Sequence, residues 1–195
     1  KSQEEEGEVE LRVDSERLID TVNPITWVTA GRRIAAKLPD LVVFKYWMPF
    51  FAPGYDTIVR YLNQKQVGRT CFLLDNVIPH ERRPGDVVFT RYAFRQADYF
   101  VVQSDAVERD LLKMYPGAVY RKAPHPVYEI FGQAIPKHEA RSALGISAKK
   151  IILYFGYVRR YKGLMVLIEA MKQLDDVLLL AVGEFYDDES QYRRR

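Results

Sequence analysis

The sequence predicts an α/β fold built on Rossmann-like parallel sheets with helices on both faces. Three observations carry this. Apolar runs such as Leu41–Tyr46, Thr70–Leu74 and Ile151–Phe155 are continuous rather than alternating, the pattern of strands buried in a parallel sheet. Helical patterns separate these runs about every 25–30 residues, the spacing of β-α units. In Ile151–Gly163 (IILYFGYVRRYKG) an apolar run breaks at Gly156. It passes through a basic loop with Arg159, Arg160 and Lys162, and reaches Gly163 just before a helical pattern.

The elements follow in order. Val9, Leu11 and Val13 alternate and suggest a short edge strand. Asn23-Pro24 opens a helix, with Asn23 as N-cap and Pro24 at the first helical position. Trp27, Gly31, Ile34 and Leu38 form its apolar stripe, and Pro39 ends it. After the strand Leu41–Tyr46, the loop WMPFFAPGY leads to a helix near Asp56–Leu62. Thr70–Leu74 is the next strand, followed by the polar loop DNVIPHERRPGD and a helix over Asp86–Ala97. Tyr99–Gln103 is a strand. Asp105 and Glu108 suggest a capping pair for the helix Ala106–Met114. Val119–Ala123 closes the series.

Pro124–Pro136 carries three prolines in PHPVYEIFGQAIP and reads as a link. It divides an N-terminal domain, residues 1–135, from the start of a second one, residues 136–195. The second contains a helix Lys137–Leu144, the strand Ile151–Phe155, a helix Leu164–Leu174, the strand Val177–Val182 and a last helix starting near Asp187.

Bulk properties narrow the function class. The chain has 195 residues, is 48% hydrophobic and 13% aromatic, and carries a net charge of +3. This is the composition of a folded protein, not a disordered one. The mild basicity does not indicate nucleic acid as a partner. Cys71 is the sole cysteine and sits in an apolar run, so it reads as core filling in a reducing compartment. No apolar run reaches the roughly 18 residues of a membrane helix. Three scattered histidines and one cysteine lack the spacing of a metal site. There is no G-x-x-x-x-G-K-[ST] and no G-x-G-x-x-G, and Ser104 lacks a nucleophile-elbow context.

In an open parallel sheet, ligands bind beyond the carboxyl ends of the strands. Asp75, Asn76, His80 and Glu81 follow one strand here. Ser104 follows another, then His125, then Gly156 with Arg159 and Lys162, then Gly183 and Glu184. The glycine-bounded cationic turn before a helix suits a diphosphate, because free N–H groups, the helix dipole and fixed cations all favour anions. His125 lies between two prolines and reads as a linker residue. Trp47, Phe50 and Phe51 fit an acceptor platform or core packing equally.

FGYVRRYKGLMVLIEAM followed by LLLAVGEFYDD resembles the start of the C-terminal domain of family 4 retaining glycosyltransferases, which have the two-domain GT-B fold. PDLVVFKYWMPFFAP, NVIPHERRPGD, RYAFRQADYFVVQSDAVERDLL and HPVYEIF resemble one bacterial branch, in the right order. The resemblance spans nearly all of Asn23–Asp188. It implies transfer of a sugar from a nucleotide-diphosphate sugar to a glycan or lipid-linked acceptor, with retention of configuration and without a metal or other cofactor. It implies catalytic roles for Arg159, Lys162 and His80. It places the donor on Gly156, Arg159, Lys162, Gly163, Gly183 and Glu184, and puts Asp75, Asn76, Glu81 and Ser104 on the acceptor side.

The sequence departs from the family pattern in three ways. Tyr157 stands where many members have Arg after the glycine, so Arg159 is expected to serve. Asp75 stands where many relatives have His. The first strand and its glycine-rich loop are expected before residue 1, and paired glutamates after residue 195, which makes this chain the middle of an enzyme of about 300 residues or more. The expected setting is cytoplasmic, peripheral to the inner face of the membrane; the arginine pairs and Arg193–Arg195 read as a solvated tail, with attraction to anionic lipid or phosphate as the alternative. The truncated C-terminal part is expected to pack on residues 1–135 or to self-associate, because a lone β-α-β piece buries little core. Two alternatives stand beside the transferase: a non-catalytic remnant or excised piece acting as a binding or scaffold module, and a GT-B sugar-nucleotide epimerase.

Overall fold

A computed structural model describes residues 15–79, 83–127, 132–186 and 188–193. The expected strand Val9–Val13 lies outside these residues. The chain divides into two compact units, Lys1–Val127 and Tyr128–Arg195.

The first unit contains α1 (Pro24–Ala36), β1 (Leu41–Tyr46), α2 (Ala52–Lys65), β2 (Arg69–Leu74), α3 (Asp86–Phe94), β3 (Tyr99–Val102), α4 (Asp105–Met114) and β4 (Tyr120–Lys122). The strands form one parallel sheet in the order β1-β2-β3-β4. Tyr46 aligns with Leu74, Leu74 with Val102, and Val102 with Lys122, so the carboxyl ends finish level.

Local chemistry sets the helix limits. The Asn23 side chain accepts a hydrogen bond from the Ile25 N–H at 3.1 Å, and Pro24 follows. The helix stops at Ala36, before Pro39, because Leu38 takes a left-handed conformation, φ 47°. Helix α2 begins at Ala52 rather than near Asp56. A short 3-10 turn, Pro49–Phe51, precedes it, and Pro53 occupies its first turn. The proline- and glycine-rich composition of this stretch conceals a helix start. Helix α4 corrects the expected cap: Ser104, not Asp105, is the N-cap, its Oγ accepting from the Val107 N–H at 3.3 Å. Asp105 and Glu108 instead both bind Lys122.

Helices α1–α4 and the clustered core side chains share one face of the sheet, while the buried Cys71 aligns with Val43 and Tyr99 on the other. Phe44, Tyr46, Phe72, Leu74, Phe100 and Val102 meet Ile58, Leu62, Phe94, Val107 and Leu111 in one core. Phe44 stacks on Phe72 at 5.1 Å, and Tyr46 meets Phe94 edge-on at 4.7 Å. Sequential right-handed crossovers along an order that runs one way put every connecting helix on the same side. The α/β class with parallel sheets is the one the sequence predicts, but helices on both faces are not found among the described residues of the first unit: the sequential strand order puts its helices on one face. The apolar runs nonetheless leave Val43 56% and Tyr99 44% exposed on the sheet's other face. Cys71 is buried, as its apolar neighbours imply.

Two polar networks fasten the layers. Asp56 on α2 is 2% exposed and accepts from Arg60 Nε at 2.7 Å and from Arg95 Nε at 3.0 Å. Arg95 also lies over the Tyr92 ring, 4.2 Å from its centroid. At the amino ends of the strands, Asp98 accepts from the Thr70 N–H at 2.8 Å, the Thr70 hydroxyl at 2.9 Å and Arg69 at 3.0 Å. Burial alone raises the Asp98 pKa, but these donors outweigh it and hold the carboxyl below its usual range. A depressed folded-state pKa gives stability that is present above the unfolded value and lost as pH falls through the folded one. The stability gap between the wild type and Asp98→Asn is therefore expected to shrink as pH drops below about 5 in denaturant titrations.

The second unit contains α5 (Lys137–Ala143), β5 (Lys150–Phe155), α6 (Leu164–Met171), β6 (Val177–Val182) and the single turn α7 (Ser190–Arg193). Strands β5 and β6 pair in parallel from Lys150 with Val177 to Phe155 with Val182. Helix α6 ends at Met171, short of Leu174, with Lys172 as its C-cap. Among the described residues of this unit only Val158 and Leu164 are fully buried hydrophobics. The small core agrees with the limited burial expected of a piece this size.

Candidate functional site

The second unit brings one group of predicted residues together. The Gly156 N–H bonds to the Val182 carbonyl at 2.9 Å, so Gly156 and Gly183 leave the sheet side by side. Their approach is closer than any side chain permits: a Cβ on Gly183 would lie 2.0 Å from the Gly156 carbonyl oxygen. Beyond them the chains stay paired. The Val158 N–H donates to the Glu184 carbonyl at 2.9 Å, and the Tyr186 N–H donates to the Val158 carbonyl at 3.1 Å.

Val158, 1% exposed, anchors the loop between these strands and α6. A 3-10 turn, Arg160–Lys162, then leads into Gly163, whose φ of 76° starts α6. The N-cap position is Gly163, which has no side chain to cap the helix, and the first-turn N–H groups of a helix have no intrahelical partner. Lys162 folds back over the strand end, with Nζ 3.8 Å from where a Cβ on Gly156 would project. The Arg159 guanidinium lies over Tyr186, 4.4 Å from the ring centroid, and Tyr157 meets Tyr186 edge-on at 5.0 Å. Gly156, Arg159, Lys162, Gly163, Gly183 and Glu184 thus share one strand-end turn. Glu184 contributes its carbonyl to the strand pairing, and its side chain is exposed.

Tyr157 and Tyr186 gained no role from the sequence. Tyr157 appeared there only as a departure from the family pattern. The aromatic pair explains how Arg159 is held without an arginine at 157: the Tyr186 ring gives the guanidinium a platform. An aromatic three residues after Gly183 was the available signal.

A second group lies at the carboxyl edge of the first sheet. The Asp75 N–H donates to the Tyr46 carbonyl at 3.0 Å, and its carboxylate pairs with Lys45. Asn76 follows, with its Oδ1 buried and without a hydrogen-bond partner among the described residues. Ser104 is occupied as the cap of α4. His80 and Glu81 lie outside the described residues. The two groups belong to different units.

A cleft of about 710 Å³ opens at the opposite, amino-terminal end of the first sheet, lined by Leu38, Asp40, Gln66, Gly68, Arg69 and Asp98. Of its three charged residues, Arg69 and Asp98 are spent on each other and on Thr70. Parallel sheets place ligands at the other end, so the strand-end turn is the better candidate. Among the described residues no three His, Cys, Asp or Glu side chains gather as a metal site, and no helix is long and apolar enough to cross a membrane. No protein-family model and no curated protein matches the chain.

Proposed function

We propose that the chain is part of a retaining glycosyltransferase of the family 4 type, using a nucleotide-diphosphate sugar as donor and a glycan or lipid-linked hydroxyl as acceptor. The observation that carries this is the β5–α6 turn. Two backbones meet through glycines, the helix start carries no side-chain cap, and Lys162 lies over Gly156. A diphosphate needs this combination: close backbone approach, helix N–H groups without an intrahelical partner and fixed positive charge.

In the proposed reaction the acceptor hydroxyl oxygen forms a bond to the anomeric carbon while the bond to the donor diphosphate breaks on the same face, and the hydroxyl proton passes to the departing diphosphate. Negative charge grows on the leaving phosphate oxygen. Lys162 and Arg159 neutralise it, and pre-placed cations need no rearrangement at that moment. Tyr186 keeps Arg159 oriented.

Incubation of the full chain with UDP-, GDP- and ADP-sugars tests the proposal. Release of the nucleoside diphosphate from one donor class is expected, falling at least about tenfold in Lys162→Ala. Release unchanged by that substitution, or none from any donor, contradicts it.

A further inference from the structure

The carboxylate of Asp56 on α2 is buried and both its oxygens are taken. Oδ1 accepts from Arg95 Nε at 3.0 Å, and Oδ2 from Arg60 Nε at 2.7 Å and Arg95 Nη2 at 3.2 Å. The two arginines are not buried with it: their side chains are 44% and 39% exposed. The Tyr92 ring on α3 steadies both, its centroid 5.8 Å from the Arg60 guanidinium carbon and 4.2 Å from that of Arg95. One arginine would neutralise the carboxylate. The second leaves the cluster with a surplus positive charge.

Arg60 is gripped at Nε, and its other hydrogen bond among the described residues is a long one, from Nη2 to the Tyr92 hydroxyl at 3.4 Å. A guanidinium has donors to spare beyond these. A cleft of about 270 Å³ opens beside it, lined by Val28 of α1, Thr57, Tyr61 and Gln64 of α2, and Tyr92 of α3. The surroundings add charge of the same sign. Helices α1 and α2 carry Arg32, Arg33, Arg60 and Lys65 against a single acid, Asp56. Arg33 is answered by Glu16. Arg32 stands one turn from Val28 on the same helix face, and the Lys65 ammonium lies 5.9 Å from the Tyr61 ring centroid. The cleft is smaller than the about 300–1,000 Å³ of pockets for drug-sized ligands, so it suits a compact charged group.

We infer that the cleft beside Asp56 is a binding site for a phosphate group, free or carried by a small molecule, with Arg60 as its cation and the Gln64 amide as a neighbouring donor. Asp56 is the device that fixes the guanidinium. It takes the Nε–H and leaves Nη hydrogens for the phosphate oxygens, so little side-chain freedom is lost on binding. Its own charge does not repel the ligand, because Arg95 neutralises it from α3. The site lies in the first unit and requires no nucleotide sugar, so it does not depend on the transferase proposal.

Nitrogen–proton NMR spectra of the full chain test the inference, in a Lys162→Ala background that removes the lysine of the β5–α6 turn. Inorganic phosphate is expected to shift the Arg60 Nε–H and Gln64 side-chain amide signals saturably, where sodium chloride at equal ionic strength does not. Arg60→Gln, read on the Gln64 amide, is expected to weaken phosphate binding at least about fivefold. Gln64→Glu, read on the Arg60 Nε–H, is expected to weaken it as much by setting a like charge against the anion. Gln64 is exposed and has no hydrogen bond to Asp56 or Arg95 among the described residues, so this variant keeps the test open should Arg60→Gln fail to fold. Arg33→Gln is expected to bind as before, and circular dichroism checks that each variant folds. Absence of saturable shifts, equal shifts with chloride, or undiminished phosphate binding in Gln64→Glu would overturn the inference.

Discussion

Gly183→Ala is expected to open the carboxyl end of the second sheet and abolish any binding at the turn beside it. The new methyl would sit 2.0 Å from the Gly156 carbonyl oxygen, a backbone atom that cannot rotate away. The residue's φ of 154° adds strain that glycine alone avoids. The strands must separate at the point where Gly156 bonds to Val182 and Val158 pairs with Phe185. A cost of at least about 3 kcal/mol follows, in the upper range of single substitutions. Gly163→Ala is the control. That glycine also has a positive φ, 76°, but no atom lies within 4 Å of the added Cβ. Its expected cost is about 1 kcal/mol, from backbone conformation alone. Hydrogen exchange of the β5 and β6 amides separates the two: Gly183→Ala should expose them and Gly163→Ala should not.

The second large effect lies in the first unit. Asp56→Ala removes the carboxylate that Arg60 and Arg95 share and leaves both cations without their common partner. Breaking a buried ion pair from one side costs about 3–5 kcal/mol. Here the arginines are 44% and 39% exposed and recover some hydration, so about 2–3 kcal/mol is expected. At about 4–8 °C per kcal/mol for a domain near this size, the midpoint should fall by about 10–20 °C. Asp56→Asn keeps the shape and part of the hydrogen bonding and should lose less. Equal losses in the two variants would show that charge contributes nothing there.

The parts of this fold legible in sequence are those whose physics is local. Asn23-Pro24 marks its helix start because cap and first turn lie in adjacent residues. Lys150–Phe155 and Val177–Val182 stand out as strands because parallel strands need no polar alternation. Helix α2 was harder to place, since Pro49, Pro53 and Gly54 read as loop while Pro53 is tolerated in a first helical turn. The cap of α4 was misplaced by one residue because Ser104, Asp105 and Glu108 all suit a helix start, and only the demand of Lys122 for two carboxylates separates them. The exposed side of the first sheet was not legible at all: an apolar run does not say which of its faces is covered.

The site was legible in part for the same reason. Gly156, Lys162 and Gly163 lie within eight residues, and their order along strand, turn and helix declares an anion-binding shape. Gly183 is distant in sequence, and its close approach to Gly156 depends on the register between β5 and β6. The role of Tyr186 under Arg159 depends on the pairing of Val158 with Phe185. Such side-chain partnerships across strands leave no spacing signal within one segment.

The most direct test of the central claim is calorimetric titration of the full chain with UDP, GDP and ADP, beside the Lys162→Ala variant. One nucleoside diphosphate is expected to bind, with affinity at least about tenfold weaker in the variant, as the loss of a charge-assisted phosphate contact implies. Binding by none of the three, or binding that Lys162→Ala leaves unchanged, would contradict the assignment of a diphosphate site to the β5–α6 turn.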